Sequence, residues 1–184
     1  ETGLGRAIWV AYFNDKAERI VPDRRISPES GTSFEVYSIV PTSRGFALLG
    51  GEEIEDEMVR PFFMMTDLNG KTVEDFRYLD GKIFPFFAGR ALWNGDGFTV
   101  AGEEFKQGVT NKSRPAVRLL SIKGKWQKGL FRQNANGENF MYGIGFDGSS
   151  YVSVAMQSST SSVYCQQLDA KLKKVGEAML VDDS

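Results

Sequence analysis

The strongest constraint on the fold is a short sequence pattern that recurs three times along the chain. Each copy begins with an aromatic residue and has a small residue four positions later, and the copies lie 52 and 53 residues apart. They are FALLG at 46–50, FTVAG at 98–102 and YVSVA at 151–155. Each copy follows a polar turn and a β-rich stretch, so every repeat is predicted to begin with a β-hairpin.

A second predicted hairpin follows each of the first ones. Its β-rich runs, interrupted by turn residues, lie at 59–79, 116–131 and 162–180, and one further copy lies at 7–21. The chain therefore has about 14 predicted strands and no convincing helix. Four strands in a period near 50 residues are typical of β-propeller blades. We predict an all-β chain, a β-propeller or partial propeller with about 3.5 four-stranded antiparallel blades, as one domain over residues 1–184.

We name the strands of each repeat A to D in chain order. The repeats span about 34–79, 83–132 and 139–180, after the hairpin at 7–21. Strand B, which begins with the aromatic residue, is apolar on both faces, as expected for a sheet stacked between two others. We expect Gly50 and its equivalents to be small because the neighbouring sheet approaches closely there.

Three features resemble kelch-type propeller repeats. The LLGG run at 48–51 is similar to their apolar strand with a double glycine, the DLNG turn at 67–70 lies where their third strand turns, and Trp126 lies where they often have a tryptophan. The second repeat has a single glycine, the third has none, and only the second has the tryptophan. The resemblance implies a propeller scaffold; the blade pattern covers the whole chain, and the kelch details match it in part.

The first hairpin lacks an A–B pair. Propellers close by radial repetition, and an open arc leaves strand edges and apolar faces unpaired. We therefore expect the chain to be part of a longer polypeptide or to be completed by another chain or copy. A compact four-bladed ring with an imperfect fourth blade is the alternative.

Composition excludes several kinds of catalytic site. The chain has no histidine and a single cysteine, Cys165, which rules out Ser-His-Asp and Cys-His nucleophile systems, HExxH zinc sites and thiolate zinc clusters. Cys165 lies in an apolar run and is interpreted as a core thiol. The DLNG turn at 67–70 lacks the later ligands of a calcium loop, so it is predicted to be a plain β-turn. We predict no cofactor and no metal.

The B–C loops are the predicted binding surface, because binding residues concentrate on loops. They differ strongly: 52–58 is acidic, 103–115 turns basic after its two glutamates, and 157–162 is neutral and rich in hydroxyl groups. We predict a non-catalytic module that presents these loops to a protein partner. The candidate contact residues are Glu55, Asp56, Lys106, Lys112, Arg114, Ser159 and Thr160.

Residues 105–132 contain eight Lys and Arg side chains and neither Asp nor Glu. One interpretation is a basic patch for an acidic protein or a sulfated glycan. The other is a set of hydrated outer strands whose charges alternate between faces. The second is favoured because the net charge of the chain is −2, which also argues against nucleic acid as a partner.

The competing functional hypothesis is a propeller enzyme of glycosidase or sialidase type. Glycosidases use two carboxylates that flank the scissile bond, and the acidic loop 52–58 supplies several. However, SIKGKW at 121–126 lacks the aspartate of the sialidase S-x-D-x-G-x-x-W box, to which it is only distantly similar. A run of neighbouring carboxylates is more often a hydrated loop.

Two features favour a secreted or extracellular protein. Asn111 begins the only glycosylation sequon, and the first three residues, Glu-Thr-Gly, resemble a scar left by secretory expression vectors. The apolar runs are strand-sized, so no membrane-spanning helix is predicted.

Overall fold

The residues that the structure describes form fourteen antiparallel β-strands. The computed structural model describes residues 5–29, 32–54, 58–79, 86–105, 113–133 and 139–182. These residues contain no helix, which agrees with the predicted all-β class. The chain divides into two compact units, Glu1–Ile83 and Phe84–Ser184, and the assignment of one propeller domain to residues 1–184 stays a prediction.

The first unit contains a two-stranded hairpin and a four-stranded sheet, which we call sheet I. The hairpin consists of β1 (Trp9–Phe13) and β2 (Arg19–Arg25). The order of sheet I is the chain order, so its two inner strands are B and C. Its strands are β3 (Ser33–Thr42), β4 (Gly45–Ile54), β5 (Met58–Thr66) and β6 (Thr72–Tyr78).

The hairpin is longer than the predicted 7–21. The register runs from Val10 opposite Arg24 to Tyr12 opposite Val21, so β2 has an extra residue in this stretch. Pro22 lies within it, and a proline is tolerated here because β2 is an edge strand with an irregular ladder.

One face of the hairpin packs on sheet I. Ile8, Phe34 and Phe62 form a buried apolar cluster. Beside it, the Tyr12 hydroxyl donates a hydrogen bond to Oγ1 of Thr66 at 2.6 Å. The hairpin is therefore fixed to sheet I by apolar burial and by a hydrogen bond between partly buried groups.

The second unit contains two four-stranded sheets, II and III, again in chain order. Sheet II consists of β7 (Phe86–Trp93), β8 (Gly97–Phe105), β9 (Ser113–Ser121) and β10 (Trp126–Arg132). Sheet III consists of β11 (Asn139–Phe146), β12 (Ser150–Gln157), β13 (Ser162–Asp169) and β14 (Lys174–Asp182).

Sheets II and III pack face to face through one apolar core. Its fully buried members are Ala101, Val117 and Phe131 from sheet II, and Tyr151, Leu168 and Leu172 from the sheet III region. The Tyr151 hydroxyl has a hydrogen-bond partner, because Nδ2 of Asn94 donates a hydrogen bond to it at 2.9 Å.

Across the described ranges there are three four-stranded antiparallel sheets and one two-stranded hairpin, the strand grouping predicted from the sequence. In each sheet the strand that begins with the repeated aromatic residue lies at position B, between its A and C neighbours. This arrangement of strands is compatible with a partial β-propeller.

The reason predicted for the small residue of strand B is wrong at Gly50. A Cβ on Gly50 would collide with the carbonyl oxygen of Glu35 and lie 2.6 Å from the Phe62 ring. Glu35 and Phe62 belong to strands A and C of the same sheet. The glycine is thus required by its own sheet, not by a neighbouring one.

All four C–D turns have the same hydrogen-bonded geometry. The first turn residue accepts a backbone hydrogen bond from the fourth and donates one to the carbonyl of the fifth. A side-chain oxygen of the first residue accepts a further backbone N–H bond, as Asp67 does from Asn69 and Lys71. The DLNG stretch is therefore a capped turn. The fourth residues all have positive φ: Ala17, Gly70, Gly124 and Leu172.

Candidate interaction site at the B–C end of the sheets

Strand register brings the same position of each sheet to the B–C end. The residue six positions after the repeated aromatic lies directly opposite a residue near the start of strand C. The opposed pairs are Glu52 with Arg60, Glu104 with Arg114, and Gln157 with Ser162. Equivalent backbone positions therefore hold a carboxylate and a guanidinium in sheets I and II, and two neutral groups in sheet III.

In sheet I this position is a buried ion pair. Oε2 of Glu52 accepts hydrogen bonds from Nε and a terminal nitrogen of Arg60 at 3.0 and 2.6 Å. Oε1 of Glu52 accepts one from the Thr32 hydroxyl at 2.6 Å. The Arg60 guanidinium lies 3.5 Å from the centroid of the Tyr78 ring, on strand D. Both carboxylate oxygens are thus engaged, and the glutamate is 4% exposed.

The ionised form of Glu52 is favoured. Burial alone would raise its pKa, but hydrogen bonds from Thr32, Arg60 and Tyr78, together with the charge of Arg60, lower the pKa below its ordinary value. Burial and the hydrogen bond to Glu52 raise the pKa of Tyr78. The cluster is therefore a carboxylate, a guanidinium and a neutral phenol at neutral pH.

A second tyrosine with a raised pKa belongs to strand A of the same sheet. Burial, followed by the negative charge of Glu35 and a hydrogen bond to it, raises the pKa of Tyr37 to about 12. Glu35 also forms an ion pair with Arg6. The Tyr37 ring lies against Gly51, where a Cβ would be 3.1 Å from it and would collide with Val59. This end of sheet I therefore holds closely packed polar groups.

In sheet II the equivalent carboxylate is surrounded by arginines. Arg132, on strand D, donates two hydrogen bonds to Glu104 at 2.5 and 2.9 Å. The hydrogen bond from Arg132 is the largest cause of the lowered pKa of Glu104. Burial, the next largest cause, opposes this shift. The charges of Arg132, Arg114 and Arg118 lower the pKa further. The Arg118 guanidinium lies 4.0 Å from the centroid of the Trp126 ring. One carboxylate thus faces three guanidinium groups.

In sheet III the equivalent end is a tight polar turn. Nε2 of Gln157 donates a hydrogen bond to Oγ of Ser159 at 3.1 Å. Oγ1 of Thr160 accepts one from the backbone N–H of Ser162 at 3.4 Å. Ser161, between them, has φ 56°. The two predicted hydroxyl contacts therefore also hold the turn together.

Three of the predicted contact residues lie in the described part of the chain. Arg114 is exposed at the start of β9, and Ser159 and Thr160 lie in the turn between β12 and β13. The positions outside the described residues are Glu55, Asp56, Lys106, Asn111 and Lys112.

Sequence reasoning missed the residues that hold the two carboxylates. Arg60 and Tyr78 in sheet I and Arg132 in sheet II were not among the predicted contacts. The sequence feature that points to these contacts is the glutamate six positions after the repeated aromatic residue in the first two repeats. Arg132 is 28 residues from Glu104, so only the strand register identifies it as a partner.

Glu52 and Glu104 are poorly suited to general acid chemistry. A general acid needs a raised pKa, whereas Glu52 and Glu104 have lowered ones and are bonded to arginines. Within the described ranges, no group of three or more His, Cys, Asp or Glu side chains could hold a metal ion. The same residues include no helix long and apolar enough to cross a membrane.

Comparison of the chain with protein-family models, with curated proteins and with solved structures found no match.

Proposed function

We propose that the chain is a non-catalytic interaction module, a set of kelch-like propeller blades that presents the B–C ends of its sheets to a protein partner. The observation that carries the proposal is the contrast between backbone and side chains at these ends. The strand register is equivalent in the three sheets, but the chemistry is an ion pair in sheet I, an arginine cluster in sheet II and a hydroxyl-rich turn in sheet III. A common scaffold with different ends suits recognition.

The arginine cluster of sheet II is the contact that we assign to an acidic partner. Glu104 lies opposite Arg114, and Arg118 follows four residues later, so alternation directs all three side chains to one face. Arg132 lies opposite Ala116 and shares that face. Three positive charges against one negative charge leave this face cationic. Arg114 is exposed, so its guanidinium is accessible to a partner's carboxylate.

Salt-dependent retention on an acidic polymer tests this assignment. We expect the chain to be retained on immobilised poly-glutamate and eluted by salt, because exposed charge pairs are screened. Arg114→Glu should weaken retention. Lys123→Glu is the matched control: it makes the same charge change at an exposed position in the C–D turn of the same sheet, at the opposite end of strand C.

Equal losses in both variants would contradict the assignment, because they would mean that only net charge matters. Stronger retention of the chain on heparin than on poly-glutamate, lost with Arg114→Glu alone, would keep the site but replace the acidic protein with a sulfated glycan.

The proposal includes an extracellular location, supported by the sequon at Asn111, which lies between β8 and β9. When the chain is secreted from eukaryotic cells, treatment with an N-glycosidase should lower its mass. An unchanged mass, equal to that of Asn111→Gln, would remove this support.

A further inference from the structure

The first hairpin lacks a strand that every other C–D pair has. In sheets I to III, strand C is hydrogen-bonded to B on one side and to D on the other. In the described part of the chain, the backbone of β1 pairs with that of β2 alone, although β1 occupies the C position of its pair. An unpaired strand edge presents backbone N–H and C=O groups that can pair with another strand.

The repeated C–D turn aligns β1 with the C strands of the other sheets. Phe13 immediately precedes the turn, as do Thr66, Leu120 and Leu168. Those three side chains are at most 1% exposed, whereas Phe13 is 53% exposed. At each of the three, strand B places its repeated aromatic residue directly opposite: Phe46, Phe98 and Tyr151.

The same alignment places Trp9 at a position that is buried in sheets I and II. Four residues before Phe13, Trp9 is equivalent to Phe62 and Ala116, which are both fully buried, whereas Trp9 is 62% exposed. Strand B places its small residue opposite this position: Gly50 faces Phe62, and Gly102 faces Ala116. A large aromatic ring such as Phe62 requires that glycine, because a Cβ there would lie 2.6 Å from the ring.

The exposed residues of β1 are held in a fixed position. Their side chains alternate with Val10 and Tyr12, which are partly buried on the sheet I side, and the Tyr12 hydroxyl is bonded to Thr66. The ring of Tyr12 also lies against Gly70, where a Cβ would be 2.7 Å from it. An incoming strand would thus meet an edge that is already ordered.

We propose that β1 binds an extended strand from a partner polypeptide, and that this strand has the pattern aromatic-x-apolar-x-glycine. The strand would run antiparallel to β1, with its aromatic residue beside Phe13 and its glycine beside Trp9. Backbone hydrogen bonds would provide affinity and the alternate side chains would provide specificity, as in other β-strand additions.

A second copy of the chain fits this site poorly. Its strands with this pattern, β4 and β8, already lie between two neighbours in their own sheets. The occupant is therefore a strand that is not part of a completed sheet. This inference rests on strand register at β1 and is independent of the arginine cluster in sheet II.

A peptide that copies residues 33–54 is a suitable probe, because it contains the β3–β4 hairpin with the required pattern. We expect it to bind the full chain at one peptide per chain and to slow amide exchange in β1. A matched peptide with Gly50→Val should bind at least about tenfold more weakly, because its side chain would meet Trp9.

Two variants of the chain test the location. Phe13→Asp should weaken binding at least about tenfold, because the carboxylate would lie opposite the aromatic residue of the peptide. Met179→Asp, at an exposed apolar position of β14, should bind like the wild type. Trp9→Ser provides a second test at the edge, and the exposure of Phe13 and Trp9 means that both variants are expected to fold.

Several results would overturn the proposal. They are the absence of binding, equal binding by Phe13→Asp and Met179→Asp, or faster exchange in β5, which would mean that the peptide replaces the chain's own β4. A dimer of the chain alone that Phe13→Asp dissociates would also overturn it, because a second copy would then occupy the edge.

Discussion

Glu52 and Glu104 occupy the same register position in two sheets, but their side chains differ in burial. The side chain of Glu52 is 5% exposed and that of Glu104 is 32% exposed. Each forms two hydrogen bonds to one arginine, from strand C in sheet I and from strand D in sheet II. The chain thus contains an internal comparison of one interaction in two environments.

Glu52→Gln is expected to lower the free energy of unfolding by about 2 kcal/mol, because a buried charge-assisted pair is lost and Arg60 remains partly buried without its counter-ion. Glu104→Gln should cost less than about 1 kcal/mol, as is usual for exposed pairs. Urea unfolding of both variants at neutral pH measures the difference. Equal costs would mean that burial does not control the strength of this interaction.

The contribution of Glu52 should also depend on pH. Because folding lowers the pKa of Glu52, its stabilising effect is fully present above the ordinary pKa of 4.5 and is lost as the pH falls through the lower, folded value. The stability gap between wild type and Glu52→Gln should therefore narrow as the pH is lowered from neutral to values below 4.5. Urea unfolding across this range measures the gap, and a constant gap would contradict the assignment.

Gly50→Ala should destabilise the first unit strongly, by about 3 kcal/mol, because the new methyl group collides with the Glu35 carbonyl and the Phe62 ring. Gly145→Ala is the matched control within a strand, since a Cβ there has no heavy atom within 4 Å. The control should change the unfolding free energy by less than about 0.5 kcal/mol. Similar effects in both would contradict the close approach at Gly50.

Ala17→Gly is expected to stabilise the hairpin by about 0.5 to 1 kcal/mol, since Ala17 has a φ of 60° that a side chain disfavours. The reverse change at the equivalent residue, Gly70→Ala, should be destabilising, because φ is 79° and the methyl group would meet the Tyr12 ring. Thermal unfolding of the two variants should therefore shift the Tm in opposite directions, and a shift in the same direction would contradict the equivalence of the turns.

The strands and turns were predictable because their signals are local. Aromatic and small residues of strand B recur at fixed spacing, and Asn14, Asp67 and Asp169 mark turns that their side chains cap. The partners of Glu52 and Glu104 were not predictable, because they depend on which strand lies opposite which. The close contact at Gly50 was attributed to another sheet, because a small residue in a sequence indicates close packing but does not identify the atoms that pack against it.

The capped C–D turns imply that parts of this chain are interchangeable. Each turn is defined by the oxygen of its first side chain and by one left-handed residue, which is alanine, glycine or leucine in different sheets. Few residues therefore need to be retained for a turn to keep this geometry. We expect five-residue turns that share glycine at this position, 67–71 and 121–125, to be exchangeable, so that hybrid sheets could be assembled from the chain's own segments.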